Sequence, residues 1–122
     1  MKTIKYHMPI RTVSEANRRD HWAVKAKRVK AQRGSAYGFT RFHVVGNLTG
    51  NDTLDIHLVR LSYKTLDTDN LSSALKAIRD GIADALHMDD GDPRLTWTYG
   101  QQKAAKPPKT GVNVTISFVE KP

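Results

Sequence analysis

Residues 67–86 read DTDNLSSALKAIRDGIADAL and carry a strong helical pattern. From position 69 onward its large aliphatic side chains recur every three or four residues, at Leu71, Leu75, Ile78, Ile82 and Leu86. That spacing places them on one face of an α-helix. The pattern predicts a single helix over residues 69–86 that buries this aliphatic face.

The opposite face of the same helix is polar. At about 100° per residue, its polar positions fall together, at Asp69, Ser73, Lys76 and Asp80. Thr68 or Asp69 is predicted to cap the N-terminus, because short oxygen-bearing side chains accept hydrogen bonds from the free N–H groups there. The helix therefore combines a packing face with a face that can do chemistry.

Four segments around this helix alternate apolar and polar residues, as strands do: residues 3–8, 53–63, 94–101 and 111–119. Residues 53–63 predict the central strand, with a change of register near residues 59–61. His57 falls opposite the apolar set and is interpreted as an ordinary strand histidine, since no second histidine lies at a metal-ligand spacing.

The N-terminal part predicts a second helix over residues 14–36, capped by Ser14 or Asn17, because it is rich in good helix formers. Its apolar stripe is thin and consists of Trp22, Ala23, Ala26, Val29 and Lys30. Residues 34–50 either continue the helix after a break or form a short packing segment. Glycines and asparagines at 46–47 and 50–52 predict turns.

This order of elements predicts an α+β fold: one compact domain over residues 1–122, with a mixed sheet of about four strands packed by two main helices. No apolar run is long enough to span a bilayer, and the N-terminus lacks the apolar core of a signal peptide. The sequence therefore predicts a cytoplasmic protein with no membrane partner. The chain has no cysteine, which excludes disulfides and thiolate metal sites.

Charge is distributed unevenly along the chain, whose formal net charge is +8. Residues 1–43 carry about +9, whereas residues 44–122 are close to neutral. A basic half suits a polyanion, since lysine and arginine release counterions from phosphates. Either the N-terminal helix is only a solvated surface, or it binds DNA through Arg18, Arg19, Lys25, Lys27, Arg28, Lys30 and Arg33.

Two short acidic clusters contain five of the chain's twelve carboxylates, at positions 67 and 69 and at positions 89, 90 and 92. Each has a structural interpretation, as a helix cap and as a turn. Together they favour Mg²⁺ or Mn²⁺, which prefer oxygen ligands. Asp67 and Asp69 can converge on one ion, and the 89–92 loop adds a ligand if strand pairing returns it beside them. Lys76 can then reach a phosphate as a point cation.

The residues that carry these clusters resemble the RusA family of Holliday-junction resolvases, which are common in phages and prophages. The resemblance spans about residues 54–119 and is specific in four elements: Asp-Thr-Asp-Asn-Leu at 67–71, Lys76, residues 80–86 and the pair at 89–90. The family's proline-rich opening is absent here. The chain has His-Met-Pro-Ile at residues 7–10 instead.

The resemblance implies which residues act. The family's two motif aspartates match Asp67 and Asp69, and its third essential aspartate matches Asp90. Its lysine matches Lys76, although in the best-known pattern that lysine lies one turn after the second aspartate, where this chain has Ser73. Asp67, Asp69, Asp90 and Lys76 are therefore the expected catalytic residues. The three aspartates are the expected metal ligands, with Asp89 and Asp92 as further candidates.

The implied activity is a Mg²⁺-dependent, structure-selective endodeoxyribonuclease. A homodimer would resolve four-way DNA junctions by paired phosphodiester hydrolysis during recombination and repair, with Mg²⁺ or Mn²⁺ and without a nucleotide cofactor. The alternative is a non-catalytic basic DNA-binding phage accessory protein. A third interpretation, an RNA- or nucleotide-directed phosphoesterase, is disfavoured because the chain has no glycine-rich phosphate loop.

Overall fold

The structure is a computed structural model that describes residues 2–14, 21–44, 46, 48, 53–104 and 110–118. Along the chain the elements are β1 (Lys2–Met8), α1 (Trp22–Val44), β2 (Leu54–Ser62), α2 (Thr68–Ala74), α3 (Lys76–Ala85), β3 (Leu95–Lys103) and β4 (Gly111–Phe118). None of the helices in this part of the chain is long and apolar enough to cross a membrane.

The four strands form one sheet in the order β1-β4-β2-β3. β2 pairs parallel with β3, while β4 is antiparallel to both β1 and β2. This confirms the predicted α+β fold with a mixed four-stranded sheet and β2 in the interior. The inward face of β2 is fully buried at Leu54, Ile56 and Leu58, as the sequence alternation predicted.

The register change predicted near residues 59–61 is wrong. Inward and outward positions alternate without interruption to Arg60, which points inward and is only 5% exposed. The apparent switch in the sequence arises because the interior position at 60 carries a charged residue, while its neighbours Val59 and Leu61 lie on the other face. A buried cation therefore lies two residues before the end of β2.

The helix predicted over residues 69–86 is divided into α2 and α3 at Leu75. Leu75 adopts φ −98° and ψ 0°, and its N–H is shared between the carbonyls of Leu71 (3.2 Å) and Ser72 (3.3 Å). The turn is thus tightened at a residue that is completely buried. The predicted aliphatic face survives this break, because Leu71, Leu75, Ile78 and Ile82 all lie in the core.

The predictions for the N-terminal helix need correction at both its end and its face. α1 runs without a break through Gly34 and Gly38 to Val44. Its buried residues are Gln32, Ala36, Thr40 and Val44, whereas Trp22 of the predicted stripe is 75% exposed. The buried face consists mostly of small or polar residues, so its periodicity leaves little hydrophobic signal.

The predicted cap of this helix also differs. α1 begins at Trp22, and the His21 ring accepts a hydrogen bond from the Ala23 N–H at 3.2 Å. Ser14 lies before α1 in irregular structure. Asn17 and the turns predicted at 50–52 lie outside the described residues.

α1 and α3 are in close contact at Gly81. A Cβ atom there would collide with the Arg33 carbonyl oxygen and come within 2.8 Å of the Ala36 Cβ. The Arg33 side chain then pairs with Asp84, with Nε 2.6 Å from Oδ2. This contact sets α1 beside the helix that carries the acidic residues.

We expect Gly81→Ala to lower the free energy of unfolding by about 1–3 kcal/mol, since the added methyl group overpacks the helix contact. Denaturant unfolding followed by circular dichroism measures it. Gly34→Ala is the matched control. A Cβ at Gly34 meets nothing within 4 Å. Gly34→Ala should therefore raise the free energy of unfolding by about 0.5–1 kcal/mol, because alanine has the higher helix propensity. A Gly81→Ala variant as stable as wild type would contradict this packing.

Candidate functional site

The N-terminus of α2 is capped by Asp67. Its Oδ1 accepts a hydrogen bond from the Asn70 N–H at 2.9 Å, and its backbone adopts an extended conformation. The prediction that Thr68 or Asp69 caps the helix is therefore wrong. Asp69 lies in the first turn, and both carboxylates are exposed. Asp67 keeps one carboxylate oxygen outside the capping bond.

Lys76, at the start of α3, joins two aspartates that are ten residues apart. Its Nζ lies 2.8 Å from Asp80 Oδ1 and 2.8 Å from Asp90 Oδ2. The hydrogen bonds with Asp80 and then Asp90 raise the pKa of Lys76, so it stays protonated. The hydrogen bond from Lys76 is the main cause that lowers the pKa of the Asp90 carboxyl. Two of the predicted catalytic residues are thus in direct contact.

Arg79 holds the chain around Asp90 in place, and sequence reasoning missed it. Its guanidinium donates to the Asp90 carbonyl (3.1 Å) and to the Tyr99 hydroxyl (2.8 Å), and it stacks over the Trp97 ring at 5.0 Å. The Trp97 Nε1–H donates to the same carbonyl at 3.0 Å. The available signal was its position three residues after Lys76, since residues with this spacing are neighbours on a helix.

The remaining acidic residues of the loop shape its turn. Asp92 Oδ1 accepts from the Arg94 backbone N–H at 2.9 Å, and Oδ2 lies 2.8 Å from the Arg94 Nη2. These bonds lower the pKa of Asp92 to about 2. Asp89 is exposed, and its carbonyl accepts from the Asp92 N–H at 2.9 Å. Both residues thus have a part in the turn that leads into β3.

The predicted metal ligands fall into two groups. β2 and β3 are parallel. Asp67 follows the C-terminal end of β2, whereas the 89–92 loop precedes the N-terminal end of β3, so the two groups lie at opposite ends of these strands. In residues 2–14, 21–44, 46, 48, 53–104 and 110–118, no group of three or more acidic or histidine side chains is arranged to hold a metal ion. Asp67 and Asp69 remain as exposed carboxylates, a donor set that fits Mg²⁺, which is often bound by one or two carboxylates and several waters.

A groove of about 230 Å³ separates the polar face of α2 and α3 from α1. Lys25 lines it from α1, while Ser73, Lys76 and Asp80 line it from the other side. Lys25 is exposed, so the groove opens beside a lysine side chain that solvent reaches. Two lysines, one from α1 and one from α3, therefore line one groove together with Asp80.

The predicted DNA-contacting residues are distributed over the surface of α1 as far as the structure describes them. Lys25, Lys27, Lys30 and Arg33 are exposed, and Arg28 is partly exposed. Arg33 is already paired with Asp84. Arg18 and Arg19 lie outside the described residues.

Comparison with known proteins adds no assignment. No protein-family model matches the chain, and no curated protein matches it. The family resemblance therefore rests on the sequence motif of residues 67–90.

The Lys76–Asp90 contact predicts a measurable titration. Lys76→Met should raise the pKa of Asp90 toward the ordinary 3.8, because the strongest partner of the charged carboxylate is removed. The ¹³C shift of the Asp90 carboxyl, followed by NMR against pH, measures it. Lys5→Met, at an exposed position on β1, is the control and should leave this pKa unchanged.

The same contact affects stability in acid. Because the folded-state pKa of Asp90 is lowered, its contribution to stability is present above the unfolded-state pKa and is lost as the pH falls through the folded-state pKa. An Asp90 titration that is identical in wild type and Lys76→Met would show that the two side chains do not interact in solution.

Proposed function

We propose that this protein is a Mg²⁺-dependent endodeoxyribonuclease that cuts four-way DNA junctions, as its resemblance to the RusA resolvases implies. The observation that supports this best is the groove between α1 and the polar face of α2 and α3. It sets the exposed Lys25 of the basic helix, which suits the phosphate backbone, beside Lys76 and Asp80. Lys76 in turn contacts Asp90, one of the expected catalytic residues.

The chemistry needs charge to be neutralised at the phosphate and a water molecule to become nucleophilic, and a bound Mg²⁺ supplies both. Asp67 and Asp69 are the residues that would hold it. Asp67 is fixed by its hydrogen bond to the Asn70 N–H, so its other oxygen has a defined direction. The adjacent helix N-terminus adds a weak positive potential that stabilises both carboxylates.

Lys76 supplies a fixed positive charge in this proposal. Its two aspartate partners keep it protonated and restrict its side chain, so it can interact with a phosphate oxygen without a large loss of side-chain entropy. Asp90 acts here as a positioning residue for Lys76. Arg79 in turn holds the Asp90 backbone.

Resolution of a junction requires two cuts in opposed strands. One small site per chain makes one cut, so a substrate with two-fold symmetry calls for a two-fold enzyme, and we propose a homodimer. The acidic site repels DNA in the absence of metal, while the basic α1 surface offsets that repulsion.

We expect wild-type protein to cut a synthetic four-way junction in the presence of Mg²⁺, and Asp69→Asn to cut it at least about 100-fold more slowly, since a metal ion supplies several kcal/mol of transition-state stabilisation. Gel electrophoresis of end-labelled junctions measures the rate. Asp55→Asn is the matched control. Asp55 is exposed on the face of β2 opposite the buried Leu54 and Ile56, so this variant should cut normally.

The outcomes of this assay separate the proposal from its alternative. A wild type that binds the junction but gives no product in Mg²⁺ or Mn²⁺ would overturn the catalytic proposal and favour a non-catalytic DNA-binding protein. Equal rates for wild type and Asp69→Asn would remove Asp69 from the site.

The basic surface of α1 predicts a salt dependence. Replacement of Lys25, Lys27 and Lys30 by glutamine should reduce the slope of log Kd against log salt by about one for each phosphate that a lysine no longer neutralises. Fluorescence anisotropy with a labelled junction, in a metal chelator, measures Kd. Lys5→Gln on β1 should leave the slope unchanged, and a triple variant with the wild-type slope would place the DNA elsewhere.

A further inference from the structure

Arg60 is a buried cation for which the described residues provide no carboxylate partner. Its side chain is 5% exposed and lies at the inward position that follows Leu58. Its Nε–H donates to the Thr12 hydroxyl (2.8 Å), and its other two nitrogens donate to the carbonyls of Thr12 (3.2 Å) and Lys64 (2.8 Å). All three acceptors are neutral. Burial lowers the pKa of this guanidinium, and no carboxylate among the described residues offsets the effect.

A charge in this environment is costly unless an anion accompanies it. A guanidinium has five N–H groups, and three hydrogen bonds leave two of them without a partner in the described part of the chain. The site thus has both positive charge and donor capacity for one more group. An oxyanion satisfies both requirements.

Arg60 borders a cavity of about 600 Å³ that is open to solvent on one side. Two further cations, Arg11 and Lys64, line it, and its described lining contains no acidic residue. The Ser14 hydroxyl also lines it, buried and without a hydrogen-bond partner among the described residues. The backbone of Arg11 is held by the Gln32 side chain, which donates to its carbonyl at 2.9 Å.

The position of this cavity connects it with the candidate site. Leu66 lines it, and the next residue is Asp67. Leu66 is fixed through its N–H and carbonyl by the Gln101 side chain on β3. Tyr63, also in the lining, is 65% exposed and offers an aromatic face next to the cations.

We propose that this cavity, the Arg60 pocket, binds one nucleotide of a DNA strand, with its phosphate on Arg60, Arg11 and Lys64 and its base on Tyr63. The planar guanidinium donors match phosphate oxygens, and aromatic side chains stack on unpaired bases at a strand end or branch point. The DNA source rests on the proposed nuclease function, whereas the ability to bind phosphate rests on the pocket alone. A DNA strand whose phosphate is held here would continue from the pocket toward Asp67.

The test is an NMR titration of the full chain in a metal chelator with thymidine 5′-monophosphate and, separately, with inorganic phosphate. We expect saturable shifts of the Arg60 Nε–H and the Lys64 amide, with at least fivefold tighter binding of the nucleotide. Arg11→Gln and Lys64→Gln should each weaken nucleotide binding about fivefold or more. Both residues are exposed, so these variants keep the fold where Arg60→Gln endangers it. Lys5→Gln is the matched control and should bind normally.

Titrations without saturable shifts at Arg60 would overturn the proposal that the Arg60 pocket binds a phosphate. Equal affinity for nucleotide and inorganic phosphate would overturn the nucleotide assignment in favour of a free-phosphate site. Failure of this inference is distinguishable from failure of the nuclease proposal, because nucleotide binding is measured without metal. Binding without junction cleavage overturns only the nuclease, and cleavage without binding in this pocket overturns only the pocket.

Discussion

The close approach of α1 to α3 at Gly81 fixes how the basic helix lies against the helix that carries the polar residues of the candidate site. Because residue 81 has no side chain, the backbone at Arg33 and the methyl group of Ala36 lie directly against it. A basic helix is thereby placed beside the helix that carries Lys76 and Asp80, even though the buried residues of α1 are mostly small or polar. The ion pair of Arg33 with Asp84 lies beside this contact.

Much of the fold follows from the sequence, because burial leaves a clear periodicity where the buried residues are large. The alternation around Leu54–Ser62 and Gly111–Phe118 predicts two strands, and the structure shows that they are neighbours paired antiparallel. The three- and four-residue spacing of Leu71, Leu75 and Ile78 predicts the packing face of α2 and α3. In these elements the hydrophobic effect alone selects the face, so a single sequence is sufficient.

Where the buried residues are small, polar or charged, the sequence gives no such signal. The inward face of α1 is formed by Gln32, Ala36 and Thr40. Gln32 donates a hydrogen bond to the Arg11 carbonyl, Ala36 packs against Gly81, and the Thr40 hydroxyl is hydrogen-bonded to the Tyr6 hydroxyl. Arg60 likewise occupies a core position that a hydrophobicity pattern leaves out. In the candidate site, the motif identified Lys76 and Asp90, but their contact depends on how the 89–92 loop folds back, and no spacing rule encodes that.

We propose that a divalent metal binds at Asp67 and Asp69, at the N-terminus of α2. Paramagnetic broadening by substoichiometric Mn²⁺ in ¹⁵N-labelled protein tests it directly, since broadening falls steeply with distance from the ion. We expect the amide signals of residues 67–70 to broaden first, excess Mg²⁺ to restore them, and Asp69→Asn to abolish the effect. Broadening that is absent, spread evenly over the protein, or unchanged in Asp69→Asn would contradict it.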